Sequence, residues 1–175
     1  MWIEATWVWE KLNLMIRTLS IAMVIGLWGC RSTTEYNPFV DIDAYEVVVV
    51  EDFEGPGKAG YEFAARVTRA LSTSGLFSSV VRTEPGEPAL RVLGKVTDYD
   101  RGNPATRMRY GHNIGNASFA AVVRLEDYHS GDFVGAVKLK ETYRVVDRRN
   151  RLHQDVDVLA ERAAQDLATQ LLELE

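Results

Sequence analysis

One cysteine, Cys30, stands in a chain of 175 residues, so neither an intramolecular disulfide nor a paired-thiolate metal site can form within it. The three histidines, His112, His129 and His153, are scattered without a second ligand at metal spacing, and no His-Glu-x-x-His pattern occurs. No serine sits in a Gly-x-Ser-x-Gly elbow or a Ser-x-x-Lys arrangement that would activate its hydroxyl. Basic residues are in deficit: 20 Lys and Arg against 25 Asp and Glu leave a net charge of −5. That balance argues against nucleic acid as a partner and gives no pull toward anionic lipid headgroups. The chain also lacks an apolar run of the roughly twenty residues that a bilayer span needs. These absences point away from catalysis, and no metal or cofactor is expected.

What is present begins at Met15. The stretch Met-Ile-Arg-Thr-Leu-Ser-Ile-Ala-Met-Val-Ile-Gly-Leu-Trp-Gly-Cys has a basic start at Arg17, an apolar run from Leu19 to Trp28, and Gly29 just before Cys30. About ten apolar residues make a signal-peptide core and fall short of a transmembrane helix. With Leu27 at the third position before the cysteine, the segment resembles the signal peptide of a bacterial lipoprotein. That resemblance implies cleavage between Gly29 and Cys30 and acylation of Cys30, palmitate included. Trp28 departs from the pattern, which usually has a small or hydroxylated side chain there. A signal anchor and a plain buried cysteine are the competing readings. Residues 1–14 carry Glu4 and Glu10 where a signal peptide wants positive charge, so Met15 reads as the start of translation. The alternative is an amphipathic helix laying Trp2, Trp7 and Trp9 on a membrane surface. No aspartate follows Cys30, and by analogy with such lipoproteins this implies the outer membrane, with the lipid on Cys30 as the attachment.

Residues 1–29 thus read as a leader and residues 30–44, polar with Pro38, as a lipidated tether. Residues 45–175 are one α/β domain, long enough to bury a core. The four valines of Glu46-Val-Val-Val-Val-Glu-Asp-Phe53 fit a central strand covered on both faces. Gly55-Pro-Gly-Lys-Ala-Gly60 is a strand-to-helix loop. It is the best phosphate-cradle candidate, but Lys58 is followed by Ala59, so a Walker ending is missing and tight turning is the plainer use. Phe63, Val67 and Leu71 stripe a helix over residues 61–74, which Gly75 ends. A second strand covers residues 77–83. Alternating residues place a third strand over 89–99 and a hairpin over 116–128 and 133–146, turned by His129-Ser-Gly-Asp132. Asp155 or Asp157 caps a final helix whose apolar face runs through Ala160, Ala163, Ala164, Leu167, Leu171 and Leu174. The fold class is α/β (α+β): a single mixed five-stranded sheet in the order βαβββα with two helices packed on it.

Together these segments resemble a group of uncharacterised bacterial lipoproteins. The resemblance rests on the valine strand ending in Asp52-Phe53, Leu76-Phe77-Ser-Ser-Val80, Leu90-Arg-Val-Leu-Gly-Lys-Val96, and Val123-Arg-Leu-Glu-Asp127 with Ser130-Gly131. It implies a fold similar to the curli-secretion channel subunit and to the TolB amino-terminal domain. Nothing resembles the long membrane-spanning hairpins of the curli pore, so the implied role is a lipid-anchored module facing water.

Two sets of polar residues remain. Glu51 with Asp52 and Glu126 with Asp127 are neighbours in sequence, yet adjacent strand residues point to opposite faces, so neither pair is automatically a catalytic dyad. Solvated strand ends and turn chemistry are their expected use. The connection from Asp98 to Asn116 is long for a link between neighbouring strands and carries Tyr99, Arg101, Arg107, Arg109, Tyr110 and His112. Arginine and tyrosine give contact energy at modest ordering cost, which makes this a candidate partner-binding loop; a strand extension or a solvated hairpin tip is the alternative. The expected function is an outer-membrane lipoprotein on the periplasmic side, a non-enzymatic protein-interaction, assembly or secretion-accessory module with envelope proteins as partners, and open strand edges leave homo-oligomers available. A small-molecule or lipid carrier and a cell-wall hydrolase are the rival readings.

Overall fold

In chain order the elements are β1 (Thr33–Tyr36), a 3-10 turn (Ile42–Ala44), β2 (Val47–Val50), α1 (Ala59–Ser74), β3 (Ser79–Val81), β4 (Ala89–Asp100), α2 (Pro104–Tyr110), β5 (Ser118–Asp127), β6 (Phe133–Thr142) and α3 (Val156–Leu172). The computed structural model describes residues 33–36, 41–86, 88–110, 114–143 and 155–173, without the side chains of Thr33, Thr34, Tyr36, Arg107 and Met108.

The strands form one mixed sheet in the order β1-β6-β5-β4-β2-β3. β2 lies parallel to both β3 and β4, and β4, β5, β6 and β1 run antiparallel in turn. Parallel neighbours need a crossover, and α1 supplies it between β2 and β3. All five expected strands are present. The sixth, β1, comes from the segment expected to be a tether and pairs along the outer edge of β6.

All four valines of β2 are buried. Val48 and Val50 face the helices and join the main core, whereas Val47 and Val49 pack with Ala89, Val81 and Tyr128 on the other face. The strand is therefore covered on both sides, as its unbroken apolar run requires. α1 inserts Phe63, Val67 and Leu71, each fully buried, and Phe63 sits between Phe53 (centroids 5.1 Å, edge-on) and Phe119 (4.8 Å). Burying each such side chain contributes about 1.5–3 kcal/mol. The helix starts at Ala59, two residues before the expected position, and its Gly60 packs against the Phe53 carbonyl where a Cβ has no room. It ends at Gly75, whose φ of +75° is left-handed.

Asp155 caps α3 by accepting from the Asp157 N–H at 3.0 Å, and Val156, Leu159, Ala160, Ala163, Ala164, Leu167 and Leu171 form its buried face. Arg66 of α1 donates to Asp157 at 2.6 Å and lies 3.7 Å from Glu161, which clamps the two helices side by side on one face of the sheet. Among the described residues no helix packs on the other face.

The second strand is shorter than residues 77–83, and β6 is described as far as Thr142. A bulge between Val96 and Asp98 resets the alternation of β4, and a second irregularity falls between Leu125 and Glu126 of β5. At one end of the sheet lie Tyr45, the start of β2, the β5–β6 turn and the carboxyl ends of α1 and α3. At the other lie the end of β4, α2 and the amino end of α3.

Candidate interaction surface

The long connection after β4 is folded. β4 continues to Asp100, whose carboxylate accepts from the Gly102 N–H at 2.7 Å. Asn103 then caps α2, its Oδ1 accepting from the Thr106 N–H at 3.1 Å, and Pro104 takes the first helical position, where a missing N–H is harmless. The Asn103 N–H donates to the Gly115 carbonyl at 3.0 Å, tying the two ends of the excursion together. Gly115 holds a φ of +72°, and a Cβ there would meet the Asn103 carbonyl at 2.9 Å and Thr106 at 3.2 Å, which favours glycine. The strand extension is thus realised in part, and a short helix closed on itself at the end of the sheet follows it.

This geometry sorts the candidate residues. Arg109 and Tyr110 project from α2 into solvent, with the guanidinium 5.4 Å from the Tyr110 ring centre and Tyr110 59% exposed. Ile114, which carries no sequence signal for exposure, is 53% exposed. Arg101 is exposed. Tyr99 serves the fold instead: its ring meets Phe119 edge-on at 6.4 Å and its hydroxyl donates to Asp157 at 3.0 Å. Burial, followed by that hydrogen bond, raises its phenol above the ordinary value, with Arg101 acting in the opposite sense. Arg107 lies on α2, its side chain outside the described atoms. His112, His153, Gly29, Cys30 and the whole leader are outside the described residues.

The carboxylates near the strand ends are engaged. Glu51 accepts from Arg91 at 2.7 Å, and Asp52 pairs with Arg82. Glu126 is not a solvated strand end, as had been expected. It is 9% exposed on the face opposite α1 and α3, held by Arg124 at 2.6 Å and with Arg91 at 3.7 Å. Arg91 on the neighbouring strand β4 and Arg124 two residues earlier on β5 itself account for the burial: the carboxylate is paired both across and along the sheet. Asp127 accepts from the Ser130 and His129 N–H groups and from the Tyr45 hydroxyl. Those bonds, the Ser130 backbone first, hold its carboxyl below the usual range, which keeps it ionised and unsuited to donate a proton. Among the described residues no group of three His, Cys, Asp or Glu is placed to hold a metal.

The Gly55–Gly60 loop closes through the Ala59 N–H donating to the Pro56 carbonyl at 3.0 Å, with Gly57 at a φ of +57°. Its glycines make the turn and the contact with Phe53. A groove of about 620 Å³ runs along the outside of α1 and α3, past Tyr61, Arg66, Arg69, Asp157 and Glu161. Arg66 and Arg69 are paired there with the acids of α3, so the groove is a seam between helices and not an apolar pocket beside the sheet. No helix among the described residues is long and apolar enough to cross a membrane.

Comparison with known proteins gives a family and a fold. The family model described as "Domain of unknown function (DUF4410)" matches residues 52–146. No curated protein matches the sequence. Among solved structures, the PelC dodecamer from Paraburkholderia phytofirmans is similar with a TM-score of 0.56 at 14% identity, covering 79% of this chain and 97% of that one. A Xanthomonas campestris protein of the DUF330 family (TM-score 0.48, 13% identity, 80% and 91% covered) is also similar. So is a minor lipoprotein from Acinetobacter baumannii (TM-score 0.36, 15% identity, 74% and 91% covered).

Proposed function

The chain belongs to the DUF4410 family, a domain of unknown function, and from that premise we propose that it is an outer-membrane lipoprotein, held on the periplasmic face by lipid on Cys30. Its domain acts as a non-enzymatic protein-interaction, assembly or secretion-accessory module. The observation that carries the binding role is the closed excursion after β4, which holds Arg109 on Tyr110, with Ile114 beyond, at the end of a rigid sheet. Arginine and tyrosine so placed are the residue types that dominate interface energy, and a scaffold that fixes them lowers the ordering cost of binding. The carboxylates most open to a catalytic reading are occupied by arginines or backbone N–H groups. Self-association is part of the proposal, and the shared fold with PelC, whose solved form is a dodecamer, supports it.

The test is site-specific photocrosslinking at Ile114 in intact cells, with and without the triple replacement Arg107→Ala, Arg109→Ala and Tyr110→Ala. The expected result is a defined protein adduct in the parent chain that the triple variant loses while its melting temperature stays within a degree or two. Loss of several kcal/mol of stability with the adduct retained would assign these side chains to the fold.

A further inference from the structure

Thr33, the first residue of β1, stands three positions after Cys30. Whatever path the residues between them take, three residues reach at most about 11 Å. β1 pairs with β6 from Thr33 opposite Lys138 to Tyr36 opposite Gly135, so the chain leaves Thr33 toward Cys30 in the direction of the end of β4, α2 and the amino end of α3. From Lys138 to Thr142, where β6 ends on that side, is about 13 Å at the usual strand rise; back to Phe133 on the other side is about 17 Å. A straight link covers most of the first distance. It falls well short of the second, for which it would first have to turn back. Ile114 belongs to the corner that the link approaches: Asn116, two residues on, donates to the Tyr143 carbonyl just past β6 at 3.2 Å, and β6 is the neighbour of β1.

Exposed apolar side chains gather at the same end. Among the described residues the four most exposed large ones are Tyr61, Tyr110, Ile114 and Val158. Val158 lies in the first turn of α3, and Tyr61, near the start of α1, lines the same groove. Phe133 and Leu172, at the opposite end, are less exposed. That opposite end offers Asp43, Glu46, Asp132 and Glu173 to solvent, with no lysine or arginine in residues 41–47, 127–133 or 163–173.

We propose that the lipidated domain leans on a zwitterionic phospholipid surface through its α2 end, with Tyr110 and Ile114 among the headgroups and the β5–β6 turn held away. This rests on the lipid proposed for Cys30, and it adds that a protein partner of α2 is met at the membrane surface. Charge alone selects no occupant here, because Arg101, Arg109, Asp100 and Asp155 are all exposed. The short link selects it, and mixed ions around a tyrosine and an isoleucine suit headgroups that carry both signs. Tyrosine settles at that level with its ring toward the acyl region and its hydroxyl toward water. So few side chains orient the domain and do not hold it without the acyl chains.

The experiment uses the full lipidated chain in vesicles of phosphatidylcholine and phosphatidylethanolamine that carry a nitroxide on a fraction of the headgroups. Cys30 is the sole cysteine and its sulfur is taken up by lipid, so Ile114→Cys and His129→Cys each give one free thiol for a fluorophore, both at exposed positions. Flotation with the vesicles reads the anchor, and quenching reads the orientation. The label at 114 is expected to be quenched several-fold more than the label at 129. An insertion of about ten Gly and Ser residues between Arg31 and Ser32 is expected to bring the two close to equal, since a flexible link of that length frees the domain to turn. Chains that float while the two labels are quenched alike, or while 129 is quenched more, overturn the orientation and leave the anchor standing. A difference that the insertion does not reduce overturns the short link as its cause. Chains that do not float remove the anchor, and this orientation falls with it.

Discussion

Asp127 is bonded from three sides, and it joins elements that are far apart in sequence. Its Oδ1 accepts from the His129 and Ser130 N–H groups at 3.0 and 2.8 Å, which shapes the β5–β6 turn, and its Oδ2 accepts from Tyr45 at 3.1 Å, which ties that turn to the entry of β2. The carboxyl is held below its ordinary value in the folded chain. Its contribution to stability is thus complete above the unfolded carboxylate value and is lost as the pH falls through the folded one. Tyr45 works at the opposite limit. Raised from 10.0 to about 12, it favours the folded state fully below 10 and loses that contribution as the pH rises toward 12. Urea denaturation across pH should show both slopes. Tyr45→Phe is expected to cost about 1 kcal/mol at pH 7 and to lessen the loss above pH 10, the raised Tyr99 phenol supplying a further part of it. An unchanged alkaline slope in that variant would assign the loss to other groups.

Among the elements, what the sequence reveals and what it hides divides at the bulges and pairings. The valines of β2, the spacing of Phe63, Val67 and Leu71, and the alternation through Phe119, Ala121, Val123 and Leu125 announce their elements because each side chain sees the core at a regular period. Tyr99 breaks the pattern. Counting by two from the buried Val96 puts it on the outer face, but the extra residue between Val96 and Asp98 turns it inward onto Phe119 and Asp157. α2 offers Asn103-Pro104 as a start signal, yet its hold comes from Gly115, a closure that only the folded chain displays. β1 is similar: Thr33–Tyr36 has no apolar period, and it is a strand because the edge of β6 is there to pair with. Arg109 and Tyr110 were legible as exposed residues; the exposure of Ile114 was not, since a lone apolar residue in a loop carries no period. Glu126 illustrates cross-strand pairing best. Register sets it opposite Arg91, and Arg124 lies two residues away on its own strand, so Glu126→Gln leaves two guanidiniums without that carboxylate. The side chain is 11% exposed and its arginines are 34% and 53% exposed, so the expected cost is about 1–3 kcal/mol by urea denaturation. A loss within error would show the arginines to be satisfied by water.

At the scale of the whole molecule, the net charge of −5 decides how a membrane could hold it. An acidic protein is repelled by anionic headgroups, so peripheral attachment by charge is disfavoured, and no helix among the described residues is long and apolar enough to span. Under the proposed reading, acyl chains on Cys30 supply the whole of the attachment. Each buried methylene contributes about 0.8 kcal/mol, and more than one chain is needed for a stable anchor. The consequence is a distinctive fractionation. The parent chain should stay with membranes through washes at high salt and at alkaline pH and leave them only in detergent, with an intact mass that begins at Cys30 and carries diacylglycerol and acyl groups. Cys30→Ala should lose that mass and, where the leader is still processed, appear in the soluble fraction, with the domain's melting temperature unchanged because Cys30 lies before the first strand. Release of the parent chain by salt alone would mean that charge holds it despite its acidity. An unprocessed parent without lipid mass would remove the anchor, and the domain would then have to reach its partners from a different compartment or by a different attachment.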